Sequence, residues 1–412
     1  MKNFKIIDFG CKLNQYESQL IRELLLKAGF TESDEKPDIF IINSCCVTQR
    51  AENKTKEILR KSRRNFPSSK LILCGCLVNL YGKENLKDLA DILIKNEEKY
   101  KILKFLGKPY SDSEKKGISY FKNHTRAFVK IQTGCDNFCS FCVIPYVRGR
   151  PASRPKEEIL DEIKRLLDSG YKEVVLSGVC LGKYGKDFGE KFGLLRLLEE
   201  ITKLKADFRV RLSSIEPQDV NSDLVEFISQ NEKMCNHLHI PFQSGDDKVL
   251  KSMNRKCSVS DYLKICETVK EKIKGASITT DIIVGFPTEK IENFENTIRF
   301  LKKVLPLKVH IFSFSKRPLT PHFNESVDVK EIKRRKKVLE EVCNELSLNF
   351  RKNFLNQTLR VLFEVQNCQF KIGLSDNYIK VFVKEKNDIK LNEFSQVKIT
   401  QINQVYTYAQ RV

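Results

Sequence analysis

Three cysteines stand close together in the segment Cys135-Asp-Asn-Phe-Cys139-Ser-Phe-Cys142. Thiolates are the soft ligands that iron–sulfur clusters and zinc take in proteins. A structural zinc site normally has four protein ligands, and the nearest histidine, His124, lies on the far side of the preceding predicted strand. The three cysteines therefore favour a [4Fe–4S] cluster in which the fourth iron is open to a substrate or a cofactor.

A second set of cysteines is spread over the first 80 residues. Cys11, Cys45 and Cys76 each follow a predicted strand within three residues. The carboxyl ends of parallel strands lie at one edge of a sheet, so we expect the three thiols to converge there. Cys46 stands beside Cys45, and Cys74 lies just before Cys76, so either neighbour is an alternative ligand.

The elements that position this second set belong to a predicted α/β domain, residues 1–112. Short β-branched strands alternate with helical stretches there, which is typical of a mostly parallel sheet. An amphipathic helix is predicted over Ser18–Ala28, and the polar segment Lys108–Gly117 is interpreted as a linker. The predicted strands are Phe4–Phe9, Asp38–Asn43 and one that begins at Leu71–Leu73.

Residues 121–352 form a second predicted domain, in which six strand–helix units follow one another. Such regular alternation predicts a (β/α)6 barrel, complete or partial, followed by a basic helix over Lys330–Phe354. The predicted strands are Ala127–Gln132, Glu173–Ser177, Phe208–Ser213, His237–Ile240, Thr279–Val284 and Lys308–Phe312. The predicted helices are Lys156–Leu167, Leu194–Lys203, Asp219–Ser229, Ser260–Lys272 and Ile291–Val304.

The last part of the chain, residues 355–412, loses helical periodicity and is predicted to be a small β domain. Turn signals stand at Gly373 and at Asp376-Asn377. The predicted strands are Leu359–Val365, Tyr378–Val383 and Gln396–Ile402.

The charge of the chain indicates a polyanionic partner. Among 412 residues, 73 are Lys or Arg and 53 are Asp or Glu, a net charge of +20, which favours nucleic acid over the alternative of a solvated basic surface. The segment Lys54–Lys70 carries seven basic residues and one acid, Glu57. Beside the clustered cysteines, Arg148, Arg150 and Arg154 stand in a stretch without acids, and we expect them to contact RNA near the reacting atoms.

The cysteine content indicates a reducing compartment. Fourteen cysteines in 412 residues are too few for a disulfide-dense secreted scaffold. The charged N-terminus does not resemble a signal peptide, and no stretch approaches 18 apolar residues. We therefore expect a cytoplasmic protein with no membrane association.

The spacing of Cys135, Cys139 and Cys142, with an aromatic residue before the last of them, resembles the radical S-adenosylmethionine (SAM) superfamily. The resemblance implies that the open iron binds SAM, which is then cleaved reductively to a radical. It also implies that Phe141 touches the adenine of SAM; the alternative for Phe141 is a packing role. The segments Gly10–Ser18, Ile42–Cys45 and Gly75-Cys76 resemble the three cysteine motifs of the methylthiotransferases. In that family the motifs bind a second [4Fe–4S] cluster, here implied at Cys11, Cys45 and Cys76.

Further segments resemble the same family over essentially the whole chain. They are Leu176–Gly185, Ser213–Pro217, His239–Gly245, Met253–Arg255 and Asp281–Pro287. The resemblance implies close backbone approach to SAM at Gly178, hydrogen bonds to SAM from Glu216 and Gln243, and bidentate pairing of Arg255 with the SAM carboxylate. For these polar residues, structural hydrogen bonds at the barrel mouth are the alternative. His237 and His239, two apart on one strand, are interpreted as facing opposite sides and as structural.

Within the family, Pro145–Arg150 and Gly182–Gly185 resemble the branch that acts on N6-threonylcarbamoyladenosine at position 37 of tRNA. The other branches usually carry an acid where Arg150 stands. The guanidinium of Arg150 suits the carboxylate of the threonylcarbamoyl group; a phosphate contact or a surface ion pair is the alternative. The C-terminal domain, with Asp376-Asn-Tyr378, resembles the RNA-binding TRAM domain.

The resemblance thus implies a tRNA methylthiotransferase with two [4Fe–4S] clusters and SAM. Its implied partners are the tRNA anticodon loop and an electron donor, either a reductant protein or a small molecule. The alternatives are a methylthiotransferase for isopentenyladenosine-37 or for a ribosomal protein and, from another class, a non-enzymatic iron–sulfur RNA-binding protein.

Overall fold

The computed structural model describes residues 2–111, 117–325, 328–384 and 388–412. Its strands are β1 (Asn3–Asp8), β2 (Thr31–Glu32), β3 (Ile39–Ser44), β4 (Lys70–Gly75), β5 (Ile92–Ile94), β6 (Arg126–Lys130), β7 (Gln132–Thr133), β8 (Ala152–Ser153), β9 (Glu173–Ser177), β10 (Arg209–Leu212), β11 (His237–His239), β12 (Ser277–Val284), β13 (Lys308–Ser313), β14 (Thr358–Gln366), β15 (Phe370–Ser375), β16 (Lys380–Lys384), β17 (Phe394–Ile402) and β18 (Thr407–Arg411).

Helices separate most of these strands, as the alternation in the sequence predicts. They are α1 (Lys12–Lys27), α2 (Gln49–Asn65), α3 (Cys76–Tyr81), α4 (Ile102–Phe105), α5 (Ile144–Arg148), α6 (Lys156–Asp168), α7 (Gly193–Thr202), α8 (Ser222–Gln230), α9 (Asp247–Ser252), α10 (Val259–Lys272), α11 (Ile291–Val304) and α12 (Val329–Lys352). Within the described residues, no helix is both long and apolar enough to cross a membrane.

The N-terminal sheet has five strands in the order β2-β1-β3-β4-β5, and all its pairs are parallel. The predicted parallel α/β sheet is therefore confirmed. Helix α1 begins at Lys12, six residues before the predicted start. Its first turns bury polar residues such as Asn14, Glu17 and Ser18, so hydrophobic periodicity could not detect them. Residues 112–116 of the predicted linker lie outside the described residues.

The central domain is an open barrel of six parallel strands. Strands β6, β9 and β10 pair in one half, and β11, β12 and β13 pair in the other. Single bridges, Val210 to Met234 and Ser214 to His239, join the halves between β10 and β11. In the part of the chain that the structure describes, β13 does not pair with β6, so the barrel is partial, as predicted.

The C-terminal domain is a closed five-stranded barrel in the order β14-β15-β16-β18-β17. Strands β15 and β18 do not appear in the prediction. Gly373 lies inside β15 and not at a turn. Glycine occupies this position because a side chain there would collide with the carbonyl of Leu362 on the neighbouring strand. The predicted turn at Asp376-Asn377 is present.

That turn closes the N-terminal end of the central barrel. Arg209 Nη1 lies 2.6 Å from the Asp376 carboxylate, and Arg211 Nη1 donates to the Asp376 carbonyl at 3.1 Å. The ring of Tyr378 stacks on His237 with centroids 4.5 Å apart. The segment that most resembles the TRAM domain is thus used for a contact between domains.

Candidate functional site

The loop of Cys135, Cys139 and Cys142 is pinned at both ends. It follows β7, which pairs with β8, so the chain leaves and returns at the same point. The Cys135 amide donates to the Gly149 carbonyl at 3.0 Å. Gly134, with φ of +76°, packs so tightly on the backbone of Arg150 that no side chain fits.

The far side of the loop is held by the residues that follow α9. The Ser140 amide donates to the Met253 carbonyl at 3.0 Å, and its hydroxyl donates to the Ser252 carbonyl at 2.8 Å. The Asn254 amide group donates to the Phe138 carbonyl at 2.9 Å. The family-like segment Met253–Arg255 therefore acts as a clamp on the cysteine loop.

The three thiols face a common space and are half-buried. A hydrogen bond from Cys180 lowers the pKa of Cys135 to about 7, whereas burial raises the pKa of Cys142 to about 12. The charges of Cys135 and Cys139 act on Cys142, so the three thiols lie within electrostatic range of one another. Cys180 therefore lies beside this site.

The residues expected to bind SAM surround the same space. Arg255 forms a 2.8 Å ion pair with Glu216 and donates to the Pro241 carbonyl at 2.7 Å. Its Nη1 lies 3.7 Å from the Sγ of Cys139. The guanidinium is thus already engaged and joins Glu216 to the cysteine loop. Pairing of Arg255 with the SAM carboxylate would require exchange of one of these partners.

Phe141, Gly178 and Gln243 occupy three sides of the barrel mouth. Phe141 packs, partly exposed, on an apolar cluster that includes Met253 and Phe286. At Gly178 an added Cβ would come within 3.0 Å of the Gln132 and Leu181 side chains, so packing disfavours a larger residue there. The backbone of Gln243, with φ of +70°, bridges to β12.

The second cysteine set converges as predicted from the strand ends. Cys11 is the exposed residue before α1, whereas Cys45 after β3 and Cys76 after β4 are buried. A side chain at Gly10 would come within 2.6 Å of the Cys45 Sγ. Burial, together with charge on Cys76 and Cys11, raises the pKa of Cys45 to about 12.

The neighbouring cysteines differ in their surroundings. Cys74 faces the opposite side of the sheet, in an apolar cluster with Phe4 and Ile21. Cys46 is buried in the cluster that holds Cys76, and the two thiols are hydrogen-bonded. Cys74 is therefore poorly placed as a ligand beside Cys11, whereas Cys46 lies next to one of the three thiols.

The three arginines that follow the cysteine loop have different environments. Arg148 is buried and donates to Glu17 at 3.0 Å and to Asn14 at 2.6 Å. Arg154 forms a 2.6 Å ion pair with Glu162. Arg150 is exposed and has no partner within the described residues. The expectation that all three contact RNA directly therefore needs correction: only Arg150 is free to do so.

Glu17 is a functional residue that charge patterns in the sequence did not single out. Its carboxylate receives Lys99 at 2.6 Å, Lys130 at 2.7 Å and Arg148 at 3.0 Å. Burial alone would raise the pKa of Glu17, but these three charges hold it well below its usual range. Arg148 also acts electrostatically on Cys76 and Cys11, so Glu17 holds a cation that lies beside the second cysteine set.

Replacing Glu17 by Gln is expected to destabilise the protein by about 3 kcal/mol or more, because three buried cations lose their shared partner. Since folding lowers the Glu17 pKa, its contribution is complete above the ordinary value of 4.5 and is lost as the pH falls below it. Urea unfolding of the wild type and of Glu17→Gln at pH 7 and pH 4 measures both effects. Glu157→Gln, on the exposed face of α6, is the control, and equal losses in both variants would contradict this role.

His237 and His239 face the same side of β11, contrary to the interpretation from the sequence. Side chains alternate along a strand with a period of two, so residues two apart share a face. Both imidazoles hydrogen-bond the same hydroxyl, that of Thr279, at 2.9 Å.

Comparison with known proteins places these sites in a family. Residues 129–301 match the Radical SAM superfamily, and residues 3–94 match an uncharacterised family, UPF0004. The fold of the chain is similar to that of a radical S-adenosylmethionine methyltransferase, TsrM, from Kitasatospora setae, solved with cobalamin and a [4Fe–4S] cluster bound. The TM-score is 0.58 at 11% identity, over 78% of this chain and 77% of that one.

Two curated relatives extend the match to the whole chain. The threonylcarbamoyladenosine tRNA methylthiotransferase MtaB of Thermotoga maritima is 37% identical over 98% of this chain and 96% of its own length. The tRNA-2-methylthio-N(6)-dimethylallyladenosine synthase of Clostridium tetani is 34% identical over 97% of this chain and 94% of its own length. The chain therefore belongs to the radical SAM tRNA methylthiotransferase family.

Proposed function

We propose that this protein converts N6-threonylcarbamoyladenosine at position 37 of tRNA to its 2-methylthio derivative, in the cytoplasm. The observation that carries the proposal is that Arg148, which follows the first cysteine loop, is buried against Glu17 and Asn14 of the N-terminal domain and acts electrostatically on Cys76 and Cys11. Val143 and Val147, directly after Cys142, pack in the same apolar cluster as Cys76. Radical generation and sulfur donation would then occur in one shared space.

The residues present fit two [4Fe–4S] clusters. Cys135, Cys139 and Cys142 would hold the first and leave its fourth iron for SAM. Cys11, Cys45 and Cys76 would hold the second. When bound, SAM and the two clusters together supply the radical, the methyl group and the sulfur that methylthiolation of a C–H bond requires.

The protein's own residues would position these groups. Arg255 and Glu216 lie against Cys139 and fix one wall of the first site. Arg148 places a buried positive charge beside Cys76, which favours thiolate ligands there. Electrons would come from a reductant protein or a small-molecule donor.

Analysis of tRNA nucleosides by mass spectrometry, in cells with and without this gene, tests the proposed function. We expect the 2-methylthio derivative of threonylcarbamoyladenosine to disappear when the gene is absent. Purified enzyme should also prefer threonylcarbamoyl-tRNA to isopentenyl-tRNA. Preference for the isopentenyl substrate or for a ribosomal protein would contradict the choice of substrate, and binding of RNA without turnover would indicate a non-enzymatic iron–sulfur protein.

Contacts to the RNA backbone are proposed at Arg150 and on the exposed face of α2. There, Lys54 pairs with Glu57 and Arg63 with Asp91, whereas Arg60 and Arg64 are exposed and free of ion pairs to described residues. Phosphate contacts of this kind position an RNA and make its affinity depend on salt.

Charge reversal at Arg60 and Arg64 together, or at Arg150, is expected to weaken tRNA binding at least tenfold at low salt and to flatten its salt dependence. Titration of tRNA at several salt concentrations measures both effects. Arg196→Glu, on the exposed face of α7, is the matched control. Unchanged affinity in the α2 and Arg150 variants would contradict this surface.

A further inference from the structure

The interior of the open barrel contains a polar cluster on its second half. His239 on β11, Asp281 on β12 and His310 on β13 have side-chain atoms within 4.8 Å of one another. Asp281 is the register partner of His310, and His239 Nε2 lies 3.3 Å from the Asp281 carboxylate. All three side chains are only partly buried, so a ligand can reach them.

Lys12 brings a positive charge to the same cluster. It follows Cys11 and begins α1, which packs on β6 at one edge of the open barrel. Its ammonium lies within electrostatic range of Tyr378, Arg126 and Arg211, and also of Asp281 and His310. The first turn of α1 thus reaches the barrel interior from beside the second cysteine site.

The ammonium of Lys12 lacks the partner that nearby buried bases have. Lys99, Lys130 and Arg148 all pair with Glu17, whereas Lys12 makes no hydrogen bond or ion pair to another described residue. An ammonium that is partly withdrawn from water and has no carboxylate in direct contact is costly, so this position is suited to an incoming anion.

We propose that Lys12, His239, Asp281 and His310 bind the threonylcarbamoyl group of the substrate, with Lys12 pairing its carboxylate. The inference rests on the proposed function and specifies how that substrate is chosen. The group offers one carboxylate together with hydroxyl and N–H donors. Lys12 suits the carboxylate, and Asp281 and the imidazoles suit the hydroxyl and the N–H groups.

The same cluster disfavours an isopentenyl group. An apolar tail would displace water from Lys12 and leave its ammonium without a hydrogen-bond partner, which is the situation in which a polar site rejects an apolar analogue most strongly. A divalent cation is the other ligand that two histidines and a carboxylate could take, but the Lys12 ammonium beside them opposes a second positive charge.

The test compares Lys12→Gln with Lys27→Gln, an exposed lysine at the other end of α1. Binding and turnover are measured on anticodon stem-loops that carry threonylcarbamoyladenosine or unmodified adenosine at position 37. Lys12→Gln is expected to lower kcat/KM on the modified stem-loop about 10- to 100-fold and to abolish its tighter binding relative to the unmodified one. Lys27→Gln should behave as the wild type.

Two further measurements distinguish a loss of substrate recognition from damage to the second cysteine site. Because Lys12 adjoins Cys11, the iron content and SAM cleavage of Lys12→Gln must match those of the wild type. Asp281→Asn, which is remote from the cysteines in sequence, should also reduce the preference for the modified stem-loop. Equal weakening of both stem-loops, or no change, in Lys12→Gln would overturn the inference, as would a zinc or iron ion lost on His310→Gln. Wild-type enzyme that ignores the threonylcarbamoyl substrate would instead refute the proposed function.

Discussion

Replacing Cys135, Cys139 and Cys142 together by Ala is expected to abolish reductive SAM cleavage and methylthiolation. The wild type, reconstituted without oxygen, should bind about eight irons and this variant about four, because each cluster holds about four. The loop is pinned at Gly149 and Met253 by backbone hydrogen bonds that do not involve the thiols, so the fold should persist. Iron analysis and 5′-deoxyadenosine formation measure the effect.

The control for the loss of a thiol is Cys368→Ala, at an exposed position in the C-terminal domain. It should retain all iron and full SAM cleavage. Cys180→Ala removes the hydrogen bond to Cys135 but no proposed ligand, so it should keep both clusters. Persistent SAM cleavage in the triple variant, or stoichiometric zinc in anaerobically purified wild type, would refute the assignment.

The sequence was sufficient to predict the elements that carry hydrophobic periodicity. Helix α11 has the predicted bounds because its apolar residues repeat with the period of a helix, and strand β9 has them because it is a short continuous apolar run. The convergence of Cys11, Cys45 and Cys76 was predictable for a related reason, since each follows a strand of one parallel sheet.

Features that depend on contacts between residues far apart in sequence could not be predicted from the sequence. The three partners of Glu17 lie 82, 113 and 131 residues away, so no local pattern reveals that its carboxylate gathers three cations. Gly373 reads as a turn residue, but the close approach of Leu362 on a neighbouring strand requires it within β15. Lys12 likewise gains its role only when α1 packs at the edge of the open barrel.

In the second cysteine set, the proposed ligands differ from the neighbouring cysteines in their surroundings. Cys45 is influenced by both Cys11 and Cys76, whereas Cys46 interacts with Cys76 and Cys45, and Cys74 lies among apolar side chains across the sheet. This arrangement supports Cys11, Cys45 and Cys76 as the ligands of the second cluster. It also predicts different outcomes for single substitutions at adjacent positions.

Cys11→Ala, Cys45→Ala and Cys76→Ala are each expected to reduce iron to about four per chain and to stop methylthiolation, while SAM cleavage continues at the first cluster. Cys74→Ala and Cys46→Ala are the matched controls and should retain about eight irons and activity. Iron content, 5′-deoxyadenosine formation and product mass are measured in all five variants. Loss of a cluster in Cys46→Ala but not in Cys45→Ala would show that Cys46 is the ligand in place of Cys45. Loss of SAM cleavage in Cys11→Ala, Cys45→Ala and Cys76→Ala would show that the two cysteine sites do not act independently.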